Sequence, residues 1–251
     1  EQKKKLWGGR FSQPTERVIE RFTHSLAVDR RLARYDLLGS IAHARMLGKR
    51  KIIPAADSRI LVRTLQRLLK NLDQGRLNLD FSAEDIHTAI QLLVERKAGA
   101  AAKRLQTARS RNDQVVTALR LFCKEKVAQL EQGIGQLQQA ILTQAGKTKG
   151  LVMPGYTHLR HAQPVLVAHV LLAYLPALER DRQRLHSAGE RLDELPLGSG
   201  ALTGTGLPID RAVVAKELGF SRIAENSVDA VTARDFVAEI LAALAILSVN
   251  L

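Results

Sequence analysis

RNDQVVTALRLFCKEKVAQLEQGIGQLQQAILTQA, residues 111–145, decides the fold. Leu119, Cys123, Val127, Leu130, Ile134, Leu137 and Ile141 recur every three or four residues along it. That spacing draws an apolar seam down one side of a helix much longer than average. Such a seam packs against other long helices. Gly133 and Gly135 weaken the helix locally and offer a place for a second helix to come close.

The helical repeat extends outward in both directions, and no segment keeps a sustained alternation of period two. Residues 30–47 set Leu32, Tyr35, Leu38, Ala42 and Met46 near one stripe, and residues 57–72 do the same with Ile60, Leu61, Leu65, Leu68 and Leu72. Ser82 followed by Asp85 signals a helix start, running to about Lys97 with Gly99 as its stop. Pro164 suits the first turn of a helix reaching about Leu192, and Pro176 should kink it. The tail from Asp229 is apolar along Val237, Ile240, Leu241, Leu244 and Leu247, and Leu251 falls inside that pattern with no cap. The expected class is all-α. Helices before residue 106 are short and linked by polar loops, and those after it are long and carry seams. The expected domains are therefore 1–106, an N-terminal helical domain, and 107–251, a long-helix bundle incomplete at its C-terminal end.

Composition narrows the function. No apolar run reaches membrane-spanning length. Cys123 is the only cysteine, which excludes an internal disulfide and a cysteine-based zinc site. Residues 1–9 lack an apolar signal core, so the expectation is a cytoplasmic protein. The net charge of +13 admits a nucleic-acid reading. The cations, however, are scattered over several helices, and aromatics make up only 4%, too few to stack on bases. Solvated helix faces account for them, and a basic surface also draws in anionic small molecules.

Four segments are candidates for chemistry. Thr157-His158 follows Pro154-Gly155-Tyr156 in a turn. A hydroxyl beside an imidazole can bind a carboxylate and move a proton, or it can be a capped turn with a surface ring. Arg109-Ser110-Arg111-Asn112-Asp113 opens the long helix. Free amides, the helix dipole and arginine suit a carboxylate there, whereas a simple cap needs only one such residue. His87 lies one turn into a helix behind Glu84 and Asp85, which could orient its ring or raise its basicity. The glycine-rich run 196–206 fits neither dinucleotide nor Walker spacing and reads as a tight connection whose amides could face a ligand. No His or carboxylate pair has metal-ligand spacing, so no metal is expected.

Several of these segments together resemble the argininosuccinate lyases. They are Leu6-Trp7-Gly8-Gly9-Arg10-Phe11, Thr107 to Asp113, Gly155-Tyr156-Thr157-His158-Leu159 with Ala162-Gln163-Pro164, Asn226 to Val231, and Arg234-Asp235-Phe236. The resemblance implies the fumarase/aspartase type of helical fold, a homotetramer and active sites shared between subunits. It implies elimination of fumarate from argininosuccinate to leave arginine, the last step of arginine biosynthesis, with no cofactor and no nucleic-acid or membrane partner. It makes His158 the acid–base histidine. Thr157, Ser25, His87, Ser110, Arg111 and Asn112 become substrate-binding residues. Thr23, Ala89, Gln91, Gln106 and Arg160-His161 depart from the family's usual residues. The family's mobile loop with its catalytic serine would follow Leu251, so the 251 residues alone are expected to be inactive. A crystallin-like homologue that kept the fold and lost the chemistry is the alternative; a basic nucleic-acid binder ranks behind it.

Overall fold

A computed structural model describes residues 15–79 and 82–251. The Leu6 to Phe11 motif lies outside the described residues. The chain divides into two compact units, one ending at Gln106 and the other beginning at Thr107.

The first unit is built from short helices: α1 (Arg17–Thr23), α2 (Leu26–Asp29), α3 (Ala33–Lys49), α4 (Ala55–Asp73) and α5 (Ile86–Ala98). A 3-10 turn at Arg30–Leu32 leads into α3. Its core holds Leu37, Leu47, Leu61, Leu65 and Ile86, while Ile60, expected on the apolar stripe, faces solvent. Asp85 caps α5 by accepting the Thr88 N–H, and Gly99 ends it at a positive φ of 55°. Helices α3 and α4 touch closely at Gly48, where a Cβ would stand 2.3 Å from Ser58 Oγ.

The second unit is organised by α6 (Arg111–Lys147), 37 residues long. Then come strands β1 (Val152–Thr157) and β2 (Arg160–Leu166), helices α7 (Val167–Leu172) and α8 (Tyr174–Leu192), and strand β3 (Glu194–Leu195). Helix α9 (Arg211–Leu218), strand β4 (Arg222–Ile223), α10 (Ser227–Thr232) and α11 (Asp235–Asn250) complete it. Most of the α6 seam is buried as expected: Val116, Cys123, Val127 and Ile134 pack with Leu178, Leu185 and Leu192 of α8 and with Phe236, Ile240 and Leu247 of α11, whereas Leu137 faces solvent. The close helix approach falls at Gly189, where a Cβ would meet Val127 at 3.3 Å. Gly133 and Gly135 have nothing within 4 Å of a Cβ, which corrects the expectation that they admit a second helix.

The stretch after α6 also differs from expectation. Gln163-Pro164 is not a helix start but part of β2, antiparallel to β1, with Pro154 opposite Pro164. Each strand of a two-stranded sheet keeps a free edge, so proline's missing N–H costs no ladder bond there. Both faces of the hairpin are largely exposed, so no apolar/polar alternation marks it in the sequence. The helix after it begins at Val167 and breaks at Ala173. Pro176 accounts for the break, since it cannot donate to the Leu172 carbonyl and crowds it. The short parallel pair β3–β4 matches Glu194 to Arg222 and Leu195 to Ile223. The all-α expectation otherwise holds. No described helix is long and apolar enough to cross a membrane.

Candidate functional site

The β1–β2 hairpin carries Thr157 and His158 at its tip. Thr157 pairs with Arg160, leaving His158 and Leu159 as a two-residue turn with φ of 50° and 61°. Two successive left-handed residues suit a type I′ turn, where Asn-Gly is usual. A bulky residue held there costs roughly 1–2 kcal/mol. Backbone strain of this kind gathers at functional positions. Thr157 and His158 are exposed, and Leu159 is 97% exposed. One step back, Tyr156 Oη and His161 Nε2 lie 2.9 Å apart across the strands. Gly155 makes the crossing possible, since a Cβ there would stand 2.6 Å from the Gln163 carbonyl oxygen.

Ser110, Arg111 and Asn112 sit together at the mouth of α6. Ser110 is its N-cap and accepts the Asn112 N–H at 3.2 Å, while Asp113 Oδ1 accepts the Ser110 N–H at 2.9 Å. These close a capping box. Part of the polar run is therefore an ordinary cap, and the Ser110 hydroxyl keeps its proton to donate. Arg111 donates to Gln114 Oε1 at 3.3 Å, and the Asn112 side-chain amide donates to the Ala201 carbonyl at 3.0 Å. Asp113 is fully buried. Burial pushes its carboxyl above the ordinary value, against N–H donors from Gly198, Gly200 and Ser110 and the charge of Arg109, which pull it down. The amides of the glycine-rich run thus face this carboxylate.

The first unit holds the other two candidates. Ser25 donates its hydroxyl to Asp29 Oδ2 at 2.5 Å, and Asp29 Oδ1 accepts the N–H of Ile86 at 3.2 Å. Asp29 thereby ties Ser25 to the start of α5, one residue before His87. His87 is buried, 3% exposed, with Nδ1 held 2.8 Å from Asp36 Oδ1. The carboxylate that orients this ring is Asp36, not the preceding Glu84 or Asp85.

Within the second unit the two candidate segments lie at opposite ends of one helix. Thirty-seven residues at about 1.5 Å each make α6 roughly 55 Å long. The hairpin leaves the far end, and seven residues of strand span only about 23 Å. One small substrate cannot touch Asn112 and His158 of the same chain. Sequence reasoning missed Asp29, Asp36 and the partners of Asp113, because each acts through contacts 50 or more positions away. Among the described residues, no three His, Cys, Asp or Glu side chains gather as a metal site.

Residues 9–251 match the sequence profile of a family described as lyase. The chain is 49% identical over 247 residues to the argininosuccinate lyase of Pelotomaculum thermopropionicum, covering 98% of this chain and 54% of that protein. It is 47% identical over 247 residues to that of Moorella thermoacetica, covering 98% and 53%. The chain thus spans about half the length of these curated relatives. Among solved structures, an EDDS lyase variant with bound fumarate superposes with a TM-score of 0.77 at 25% identity, covering 87% of this chain and 43% of that one. EDDS lyase in complex with formate gives 0.78 at 24% identity, over 96% and 48%. This second likeness is one of fold alone, and it bears out the helical architecture.

Proposed function

This chain belongs to the lyase family, and on that footing we propose that it acts as an argininosuccinate lyase, releasing fumarate and arginine in the last step of arginine biosynthesis, in the cytoplasm. The observation that carries the reading is the strained, exposed His158–Leu159 turn beside Thr157. Histidine is among the residues that tolerate the left-handed region, but neither packing nor hairpin preference asks for a 97% exposed leucine beside it in that conformation.

The chemistry is acid–base elimination. A base takes the proton from the carbon next to a carboxylate, and an aci-carboxylate forms. The carbon–nitrogen bond then breaks, and its electrons leave with the guanidino nitrogen, which is protonated as arginine departs. No electrons are exchanged with a carrier, so the balance calls for no redox cofactor. His158 serves as the acid–base group. Thr157, Ser25, Ser110, Arg111 and Asn112 bind substrate, with arginine and amide donors gripping carboxylates. His87, its ring oriented by Asp36, is likewise assigned to substrate binding.

We further propose that the site is assembled between copies in a homotetramer. The length of α6 supports this, since it separates Asn112 from His158. So does the hairpin, whose exposed Tyr156 and Leu159 and two open faces are marginal alone. Exposed Leu137, Leu142, Leu241 and Val249 on the long helices add apolar surface for partners.

Fumarate absorbance, followed after argininosuccinate is added to the protein expressed from its natural gene, tests the reading. Equal amounts of fumarate and arginine are expected. His158→Asn should lower the rate by about 10²–10⁴-fold. Calorimetric binding without any turnover would favour the crystallin-like alternative, and neither binding nor turnover would end the proposal.

A further inference from the structure

Gly198 and Gly200 both turn their N–H groups onto Asp113 Oδ2, at 2.9 Å each. Both have positive φ, +98° and +65°, and their amides converge on that one oxygen, making an anion-binding concavity. Only glycine fits: a Cβ at 198 would meet Arg211 Cγ at 2.8 Å, and one at 200 would meet the Gly204 carbonyl oxygen at 2.7 Å. Arg211 ties the start of the run to its neighbours, donating to the carbonyls of Leu197, Leu195 and Ala224. The anion cradle is therefore built into the fold and filled from within by a carboxylate 85 residues away. One position beyond Gly200, the carbonyl of Ala201 takes one N–H of the Asn112 side chain.

We propose that Asp113 is a positioning residue of the elimination: its carboxylate locks the 196–206 loop onto the mouth of α6, and the locked loop aims the Asn112 amide at the substrate. Asp113 is buried and touches no substrate itself. Asn112 spends one donor on Ala201, which fixes the plane of its amide; the second donor and the carbonyl oxygen are set by that plane. This inference rests on the function proposed above, because it needs Asn112 to bind the substrate.

Two variants test it. Asp113→Asn keeps the shape but sets an amide N–H₂ against backbone N–H donors on one side. Gly200→Ala opens the same lock from the loop. Each should raise KM for argininosuccinate by about tenfold, the usual order for lost bonds to a charged group. Each should change kcat by less than about threefold, because ground-state binding is what is lost. Amide exchange at Gly198 should accelerate with KM. The double variant should be no worse than either single one, since both remove one interaction. A wild-type protein that releases no fumarate defeats the function reading before the variants are compared. An active wild type with Asp113→Asn at unchanged KM, or with single effects that multiply in the double, defeats this inference alone. Should Asp113→Asn lose its helical circular dichroism, Gly200→Ala decides by the same KM and exchange readings.

Discussion

Replacing Gly155 by alanine should open the hairpin and leave the rest of the second unit intact. A Cβ at this position would sit 2.6 Å from the Gln163 carbonyl oxygen, about 0.8 Å inside the 3.4 Å at which ordinary contact begins. The obstacle is backbone, and no rotamer change moves it aside. Forcing an extra carbon into such a space costs about 1–3 kcal/mol. The strands can relieve it only by parting at the Pro154–Tyr156 irregularity in their register. Nothing much resists that, because both faces are exposed and a lone two-stranded hairpin is marginal in water. The long-helix core of Leu178, Leu185 and Phe236 lies elsewhere and should not register the change. Protection of the β1 and β2 amides should therefore drop by about fivefold to 150-fold, at roughly 1.4 kcal/mol per factor of ten. The melting temperature should hold, and fumarate release should fall with the protection. Hydrogen exchange read residue by residue provides the assay. Unchanged exchange in the hairpin, or a cooperative loss of the whole unit, would refute the reasoning.

Three other outcomes are expected. Gly133→Ala, with open space around its Cβ, should stabilise α6 by about 0.5–1 kcal/mol in chemical denaturation, because alanine replaces glycine inside a helix. The Cys123 thiol is buried and its pKa is pushed up to about 11, so thiol reagents at neutral pH should leave it untouched until the chain unfolds. Hydrogen bonds from Arg182 and Gln138 hold the Glu179 carboxyl down to about 2 from 4.5. A depressed carboxyl stabilises the folded chain above its unfolded pKa, so that contribution is present above 4.5 and fades as pH falls through about 2. Carbon NMR should show the low midpoint, Arg182→Gln should raise it toward 4.5, and the effect on melting should be small for so exposed a pair.

The helical part of the fold was legible because burial writes a period into sequence. Cys123, Val127 and Ile134 had to face α8 and α11, and the spacing of three and four records it. Pro176 and Gly99 marked a break and a stop for reasons internal to the backbone. The hairpin was not legible, since a strand with two wet faces leaves no alternation, and Pro164 fits a helix start as well as an edge strand. The candidate residues were found as local clusters, but what holds them was not. Asp29 joins Ser25 to α5 across 57 positions, and Asp113 joins Asn112's helix to Gly200 across 87. Neither partner leaves a mark near the residue it serves. The distance between the Asn112 and His158 ends of α6 follows from helix length alone, yet the two motifs look adjacent when read as one chemistry.

That separation supplies the most direct test of a site shared between copies. Asn112→Ala and His158→Asn, each expressed from the natural gene and assayed at substrate well below the wild-type KM, should each lose fumarate release. Mixed after gentle dissociation and allowed to reassemble, they should regain a measurable fraction of wild-type turnover, because some sites then receive an intact Asn112 from one copy and an intact His158 from another. A reassembled mixture as silent as its two parents would contradict the account.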